Sequence, residues 1–198
     1  TEGSSGQTVD LSAGTKYYFT VVNNNRSLTA TIRTGSHSGS VFSTRTATIQ
    51  NGVTGLDHIQ SGASSFNSGT NTYTVDNIEI WNNMTSISGT ATYTENFSSA
   101  TVWGQDPADS QFAVSSSDGR LNFLDDENST GDRTWLDLGT SVSTTKWLLR
   151  FKFRFSTLAS GTYYYEFDAG LSDTTVNNMT NQNFIGVRVL PSNFNNLW

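Results

Sequence analysis

The sequence contains no cysteine among its 198 residues. Disulfide bonds, thiolate metal sites and cysteine nucleophiles are therefore all excluded. It also lacks a run of roughly 18 consecutive apolar residues, the length that a membrane-spanning helix needs, and it does not open on a basic and then apolar signal segment. The first residue is Thr1 rather than methionine. We therefore expect a processed or excerpted part of a longer protein, with no membrane span.

Charged residues are scarce, at 14% of the chain, and 11 basic against 17 acidic residues give a formal net charge of −6. The basic residues are scattered along the sequence, and no cationic stripe that could neutralise phosphates is visible. We therefore expect no nucleic acid partner. Few lysines and many Ser, Thr and Asn residues favour an extracellular or cell-surface location.

Aromatic and turn-forming residues are abundant: 12 Phe, seven Tyr and five Trp accompany 17 Gly. This mixture favours strands over helices. Apolar and polar residues alternate in short runs, as in strands with one buried face, and most clearly where three Phe alternate with Lys152 and Arg154. We therefore expect an all-β chain. The predicted strands are residues 17–22, 28–32, 41–49, 73–81, 111–114, 121–124, 147–155, 163–169 and 184–190.

Local signals also predict turns and an irregularity. The dipeptides Asn51-Gly52 and Asp118-Gly119 are typical of hairpins. Within residues 73–80 the apolar positions change from odd to even numbers, and a β-bulge near Asp76 and Asn77 would explain the change. About ten strands in a chain of this length fit a two-sheet antiparallel sandwich of jelly-roll type.

Several of these segments resemble strands of the concanavalin A-like (laminin G-like) jelly-roll family. The segments that resemble the front half of this fold are Thr94-Glu95-Asn96-Phe97 and residues 146–155, 163–171 and 184–189. The segments that resemble its back half are residues 14–22 and 73–81. The resemblance implies the family's two-sheet sandwich with its halves in rotated order. Residues 1–88 would be the C-terminal half of the jelly roll, and residues 89–198 the N-terminal half.

Each half needs a complement, because an open half-sandwich would expose unpaired strand edges and a large apolar face. Three arrangements supply one. The chain could be a circular permutant that closes on itself, one period of a tandem array in which Trp198 continues into the next Thr1, or a subunit that exchanges halves with its neighbours. Residues 82–92 look like a connector from a last strand to a following first strand, which favours the array or polymer.

The rotated order is similar to that of tandem repeats in long secreted microbial surface and fibre proteins. This resemblance implies a non-catalytic structural subunit that assembles head to tail with copies of itself into an extracellular fibre or surface array. The Thr- and Asn-rich surface would be a natural base for N-linked glycans. The alternative is a carbohydrate-binding, lectin-like module.

Residues that could support catalysis form no recognisable motif. His37 and His58 lie in polar loop sequence, and the segment 35–39 has His rather than Ser at its centre, unlike a nucleophile elbow. The resembling glycosidases use a strand reading Glu-x-Asp-x-(x)-Glu. This chain has Glu166 and Asp168 but lacks the third acid, so we expect no enzymatic activity.

Calcium is the one cofactor that the resemblance implies. Related jelly rolls often bind structural Ca²⁺ where the first and last strands meet, and this hard cation takes carboxylate and carbonyl oxygens. Glu95 on the predicted first strand and Asp76 on the last match that position. The acidic segment 125–128 is a second candidate, although its spacing differs from that of an EF-hand loop.

Five Asn-x-Ser/Thr sequences could accept N-linked glycans. About five are expected from the composition alone, so their number is not evidence of glycosylation. Asn25, Asn128 and Asn178 lie in polar, turn-like sequence. Asn83 is a fourth candidate, and Asn96, at the start of a strand, is a weaker one.

Two tryptophans outside the strand pattern could stack on a saccharide, because aromatic faces match the apolar faces of pyranose rings. They are Trp103 and Trp198. Burial beneath a loop is the alternative for both, since Trp is highly buried on average. Trp135 and Trp147 are expected in the core.

Overall fold

The chain is an all-β protein built from two antiparallel sheets. The computed structural model describes residues 11–49, 51–65, 71–98, 103–105, 112–115, 119–125, 132–157, 165–173, 184–190 and 194–197. These ranges contain 14 strands and no helix. The strands are β1 (Lys16–Asn24), β2 (Ser27–Thr34), β3 (Val41–Thr48), β4 (His58–Ser65), β5 (Asn71–Asn82), β6 (Tyr93–Glu95), β7 (Gly104–Gln105), β8 (Phe112–Ser115), β9 (Arg120–Asp125), β10 (Asp132–Asp137), β11 (Lys146–Thr157), β12 (Tyr165–Ser172), β13 (Phe184–Leu190) and β14 (Phe194–Leu197).

The two sheets pack face to face as a β-sandwich. The larger sheet has the strand order β3-β2-β1-β11-β5-β9-β8, with β6 also paired to β5, and the smaller has the order β14-β13-β12-β4-β10-β7. Their inner faces share one apolar core. At its centre the rings of Phe153 from the larger sheet and Phe167 from the smaller have centroids 4.3 Å apart.

Strand β11 lies in the middle of the larger sheet, and its aromatic residues account for that position. Phe151, Phe153 and Phe155 are all buried, as the two-residue period of a strand requires. Phe151 stacks on Phe19 of β1 with ring centroids 4.9 Å apart, and Phe155 contacts Tyr73 of β5 at 5.5 Å. The alternation that the sequence predicted for β11 is confirmed.

Both sheets contain strands from either side of residue 88. In the larger sheet β11 lies between β1 and β5, and in the smaller sheet β4 lies between β10 and β12. Residues 1–88 and 89–198 therefore complete each other's hydrogen-bonded ladders within one chain. The assignment of these two segments to halves of a jelly roll stays a prediction.

The bulge predicted in β5 is confirmed. The register of β5 against β11 shifts between Asp76 and Glu79, and Asn77 has a φ of 48°. Val75 before the shift and Ile78 after it are both buried. The extra residue therefore lets β5 keep an apolar inner face although its apolar positions change parity.

Of the two hairpin predictions, one is confirmed and one is wrong. Strands β8 and β9 pair antiparallel around Gly119, whose φ is 63°. The Asn51-Gly52 turn has a φ of 92° at Gly52, but β3 before it and β4 after it belong to different sheets. Because β4 pairs with β10 and β12, this turn leads from the larger sheet to the smaller.

Strand β3 keeps the predicted alternation in a weaker form, with Ser43, Arg45 and Ala47 half-buried on one face and Ile49, just after the strand, buried. None of its residues is buried, and Val41 and Phe42 are 53% and 46% exposed. The physical reason is its position at the edge of the larger sheet, where the described strands provide one neighbour, β2, and less cover from the opposite sheet.

Replacement of Phe153 by alanine should destabilise the whole sandwich, because its ring contacts both sheets. We expect Phe153→Ala to lower the free energy of unfolding by about 3–5 kcal/mol. Urea unfolding followed by tryptophan fluorescence would measure the loss. Ser156→Ala, an exposed position on the same strand, should stay within about 0.5 kcal/mol of the parent. Equal stability of the two variants would contradict the central role of β11.

Candidate functional site

Glu95 and Asp76, the predicted calcium ligands, lie on neighbouring strands but on opposite faces of the larger sheet. Glu95 is paired with the buried Ile78, and cross-strand partners share a face, so its side chain points inward. Asp76 is paired with Lys152, which alternates with the buried Phe residues of β11, so its side chain points outward. Strands β6 and β5 therefore pair, but the carboxylates of Glu95 and Asp76 do not converge on one cation.

Glu95 is 8% exposed and has partners within the chain. Its carboxylate accepts hydrogen bonds from the Phe97 backbone N–H and, at 3.4 Å, from the Tyr93 hydroxyl. Burial, with the charge and hydrogen bond of Glu95, raises the pKa of Tyr93. Among the described residues no three His, Cys, Asp or Glu side chains cluster as metal ligands would. Residues 126–128 of the second candidate segment lie outside the described ranges.

Trp103, a predicted sugar-stacking residue, is inside the molecule. It is 6% exposed, and its ring stacks on Phe97 with centroids 5.4 Å apart. A covered indole face cannot stack on a saccharide. The structure therefore favours the alternative prediction for Trp103, which is burial beneath a loop. Trp147 is buried as expected, whereas Trp135 is half-buried. Trp198 lies outside the described residues.

Two of the candidate glycosylation sites lie at the same end of the larger sheet. Asn25 and Asn83 are both exposed. Their backbone N–H groups donate to the carbonyls of Thr145 and Lys146 at 2.6 and 2.9 Å. The two asparagines therefore flank the start of β11, with their side chains accessible to a modifying enzyme.

The other three glycosylation acceptor sequences are either less accessible or outside the described residues. Asn96 is exposed, but its Oδ1 accepts a hydrogen bond from the Ser98 backbone N–H at 3.0 Å, which holds the amide against the chain. Asn128 and Asn178 lie outside the described residues. Asn25 and Asn83 are thus the best-placed acceptors that the structure describes.

The prediction that both histidines lie in loops is confirmed for His37 and wrong for His58, which is on a strand of the smaller sheet. His58 begins β4 of the smaller sheet, with Nδ1 at 2.6 Å from Asp57 Oδ1, and His37 lies in the loop between β2 and β3 of the larger sheet. Glu166 and Asp168 are on β12, and their side chains are outside the described part of the chain. The described candidates for acid or base chemistry therefore do not assemble into one site.

Basic residues that are scattered in the sequence come together on the outer face of the larger sheet. Each follows or precedes a buried residue on its strand, so all of them point away from the core. We call this surface the basic face, and it comprises Lys16, Arg33, Arg120, Arg150, Lys152 and Arg154. Cations that are distant in the sequence thus become neighbours, because strand pairing rather than sequence distance decides which side chains lie together.

A shallow depression with a volume of about 20 Å³ lies on the basic face and is open to solvent. Four basic side chains and one carboxylate contribute to its lining, and one of the four, Arg120, has an interaction partner of its own. We call it the basic pocket. Its polar lining residues are Lys16, Thr74, Asp76, Arg120, Lys152 and Arg154.

Asp76 is shared between two of these cations. Its Oδ2 is 3.4 Å from Lys152 Nζ and 3.9 Å from Lys16 Nζ. With the Asn77 amide turned so that both its polar atoms are satisfied, its nitrogen donates to Asp76 at 3.2 Å and its oxygen accepts from Lys152. Arg154 Nε, in contrast, is buried and has no hydrogen-bond acceptor among the described residues.

Two further basic residues have partners on the face itself. Arg150 Nε and Nη2 donate to Glu79 Oε2 at 2.8 and 2.5 Å, and its guanidinium lies 5.1 Å from the Trp81 ring centroid, a cation–π contact. Arg33 donates to the Gly39 carbonyl at 2.8 Å. Arg150 is therefore paired with an acid outside the basic pocket, whereas the partner of Arg33 is a neutral carbonyl.

His37 covers part of the basic face beside Tyr18, and their rings meet edge to face with centroids 5.1 Å apart. Both ring nitrogens of His37 are buried without a hydrogen-bond partner in the described structure. Burial, followed by the positive charges of Arg150, Lys152 and Arg33, lowers the pKa of His37 from 6.5 to about 3. His37 is therefore neutral near pH 7 and adds no charge to the face.

No protein-family model matches the chain, and no match is found among curated proteins. None of the described segments forms a helix with the length and hydropathy that crossing a bilayer would demand. The function of the site must therefore be inferred from its geometry. A pocket with an excess of positive charge attracts anions and disfavours metal cations.

The buried His37 should make stability depend on pH. Between pH 6.5 and about 3 the unfolded chain takes up a proton that the folded chain does not, so this residue lowers stability as the pH falls through that range. We expect His37→Gln to lose this dependence, with a slope difference of at most about 1.4 kcal/mol per pH unit. Urea unfolding at several pH values would measure it. Parallel curves for the two proteins below pH 6 would show that His37 is solvated.

Asn25 and Asn83 should be modified when the chain is secreted by a cell that attaches N-linked glycans. We expect a mass increase that an amidase specific for these glycans removes. The variants Ser27→Ala and Thr85→Ala destroy the two acceptor sequences but keep both asparagines, and each should remove one glycan. Intact-mass spectrometry would count them. An unmodified parent chain from the same secretory pathway would refute the assignment.

Proposed function

We propose that the chain is a non-catalytic structural subunit of an extracellular, N-glycosylated fibre or surface array. Its sandwich would be of the concanavalin A-like jelly-roll type in rotated order. The observation that carries this proposal is the interleaving of strands from residues 1–88 and 89–198 in both sheets. A subunit of this kind is completed wherever the two segments meet, within one chain or between copies.

The pairing pattern explains why the segments depend on each other. Without β11, strands β1 and β5 would each lose an antiparallel partner along most of their length. Without β4, strands β10 and β12 would lose theirs. Unpaired edges next to apolar faces favour association with a complementary chain, so exchange between copies can use the same interfaces as closure within one chain.

The pairing of β6 with β5 supports the jelly-roll type. In the resembled family the opening strand and the closing strand meet, and here residues 93–95 of the opening segment pair with residues 78–80 of the closing segment. The three described acceptor asparagines are exposed, which supports the glycosylated surface. An extracellular location follows from the same proposal, since N-linked glycans are added to secreted chains.

Edge strand β3 offers a contact for a second copy. It has eight residues, and within the described structure it pairs on one side with β2. Arg45 is its one charged residue, whereas protected edges usually carry several charges or a proline. Val41 and Phe42 add exposed apolar surface at its start. A strand of another copy could extend the larger sheet at this edge.

The carbohydrate-binding alternative loses one of its two sugar-stacking candidates, because Trp103 is buried. The remaining sugar-stacking candidate, Trp198, lies outside the described residues. The structural subunit remains the better-supported proposal because it uses the strand pairing of the whole sandwich.

Assembly of the purified full-length chain tests the proposal. We expect negative-stain electron microscopy and light scattering to show filaments or oligomers that grow with concentration. Val41→Lys should weaken this growth by placing a charge at the edge strand. Ile87→Lys is a matched control, since Ile87 is 51% exposed, against 53% for Val41, and lies in the connector after β5. Compact monomers at every concentration would refute the fibre function.

A further inference from the structure

We propose that the basic pocket is a binding site for a single oxyanion group, a sulfate, phosphate or carboxylate, present as a free ion or attached to an acidic saccharide. This inference is independent of the fibre proposal. It rests on the facing pair of Lys16 on β1 and Arg154 on β11, the Arg154 Nε that has no acceptor among the described residues, and the open depression beside them.

The strand register places like charges directly opposite each other. Lys16 of β1 is the cross-strand partner of Arg154 of β11, and side chains in such pairs have Cβ atoms about 4.5–5.5 Å apart. Like charges in this position repel and destabilise a sheet. A bound anion between them would convert the repulsion into two attractions.

The described residues neutralise this pair only in part, because Lys16 has an ion pair with Asp76 whereas Arg154 has none. The single carboxylate of the pocket, Asp76, lies closer to Lys152 than to Lys16. In the described structure Arg154 forms no ion pair, and its buried Nε has no acceptor. Charge-assisted hydrogen bonds from Arg and Lys to oxyanions are stronger than those between neutral groups, so an anion is the ligand that these donors favour.

Neighbouring groups also favour an oxyanion over a simple halide. Thr74, the partner of Arg154 on β5, adds a hydroxyl to the lining, and an oxyanion accepts several hydrogen bonds in different directions. The chain as a whole has a net charge of −6. A local excess of positive charge on an acidic protein makes this pocket a distinct target for an anion.

Nucleic acid is the less favoured class of ligand. The acidic residues Asp76 and Glu79 lie on the same outer face, where they would repel the phosphates that flank a bound one. The aromatic residue that lines the pocket, Phe153, is buried, and Tyr18 and His37 pack on each other, so none of the three presents a free stacking surface for bases. A single oxyanion group avoids both problems.

The test is a titration of the ¹⁵N-labelled full-length protein in low-salt buffer, followed by two-dimensional NMR. Inorganic sulfate, inorganic phosphate and acetate are the free-ion probes, and a sulfated disaccharide with its unsulfated parent are the saccharide probes. We expect saturable one-to-one binding with shifts centred on residues 16, 74, 120 and 152–154. Tighter binding of the sulfated disaccharide than of inorganic sulfate would identify a saccharide source, and equal binding would identify the free ion.

Charge-removing variants separate the pocket from general electrostatics. Lys16→Gln and Arg154→Gln should each weaken sulfate binding by about tenfold. Lys146→Gln removes one exposed cation from the other end of β11, about 26 Å from Arg154 along the strand, and should bind as the parent does. Asp76→Asn adds to the positive excess and should strengthen binding.

Thermal unfolding gives a second readout. Sulfate should raise the unfolding midpoint of the parent and of Lys146→Gln, but not those of Lys16→Gln and Arg154→Gln. Without anion, the two pocket variants should unfold at a higher temperature than the parent, because one of two facing cations is gone.

Several results would overturn the assignment. They are an absence of saturable binding at tens of millimolar anion, unchanged binding in both pocket variants, or equal weakening in Lys146→Gln. A strong preference for oligothymidylate, with affinity that grows with its length, would replace the oxyanion pocket by an extended nucleic acid surface. Folding of each variant is checked in the same NMR spectra, so a loss of binding is not confused with unfolding.

Discussion

The structure depends on the burial of the aromatic face of β11 between strands that come from the other segment of the chain. Phe151, Phe153 and Phe155 each remove a large apolar surface from water, and burial of one such side chain contributes roughly 1.5–3 kcal/mol. This face can be covered only if β1 and β5 lie on either side of β11 and the smaller sheet packs over it. One constraint therefore joins residues 1–88 to residues 89–198.

The same strand geometry produces the basic face. Because successive side chains of a strand point to opposite faces, every aromatic residue that β11 buries leaves a neighbour in solvent, and in this strand the outward neighbours include Arg150, Lys152 and Arg154. Strands β1 and β9 add Lys16 and Arg120. The hydrophobic effect thus collects cations on the outside as a consequence of collecting phenylalanines on the inside, and the bulge at Asn77 brings an amide to the same place.

Some features of the candidate sites could be predicted from the sequence, and others could not. The exposure of Asn25 follows from its position in a two-residue turn with Arg26, where both residues have positive φ, a conformation that strand ends favour. The sequence could not show whether the predicted calcium ligands Glu95 and Asp76 lie on the same face of the sheet. The faces to which they point depend on the register of β6 against β5 and on the bulge. Half of the basic pocket could be predicted from the alternation in β11. Lys16 and Arg120 could not, since they are distant in sequence and carry no local signal.

The amino-acid sequence by itself determined the all-β class, the inner and outer faces of β11 and the bulge in β5, because each of these follows from side-chain periodicity over a few residues. The tertiary structure alone decided that β11 lies between β1 and β5, that the Asn51-Gly52 turn joins two sheets and that four cations share one pocket with Asp76. Backbone hydrogen bonds between strands are the same for every sequence. The choice of neighbours is therefore made by the packing of the whole core, which no local pattern contains.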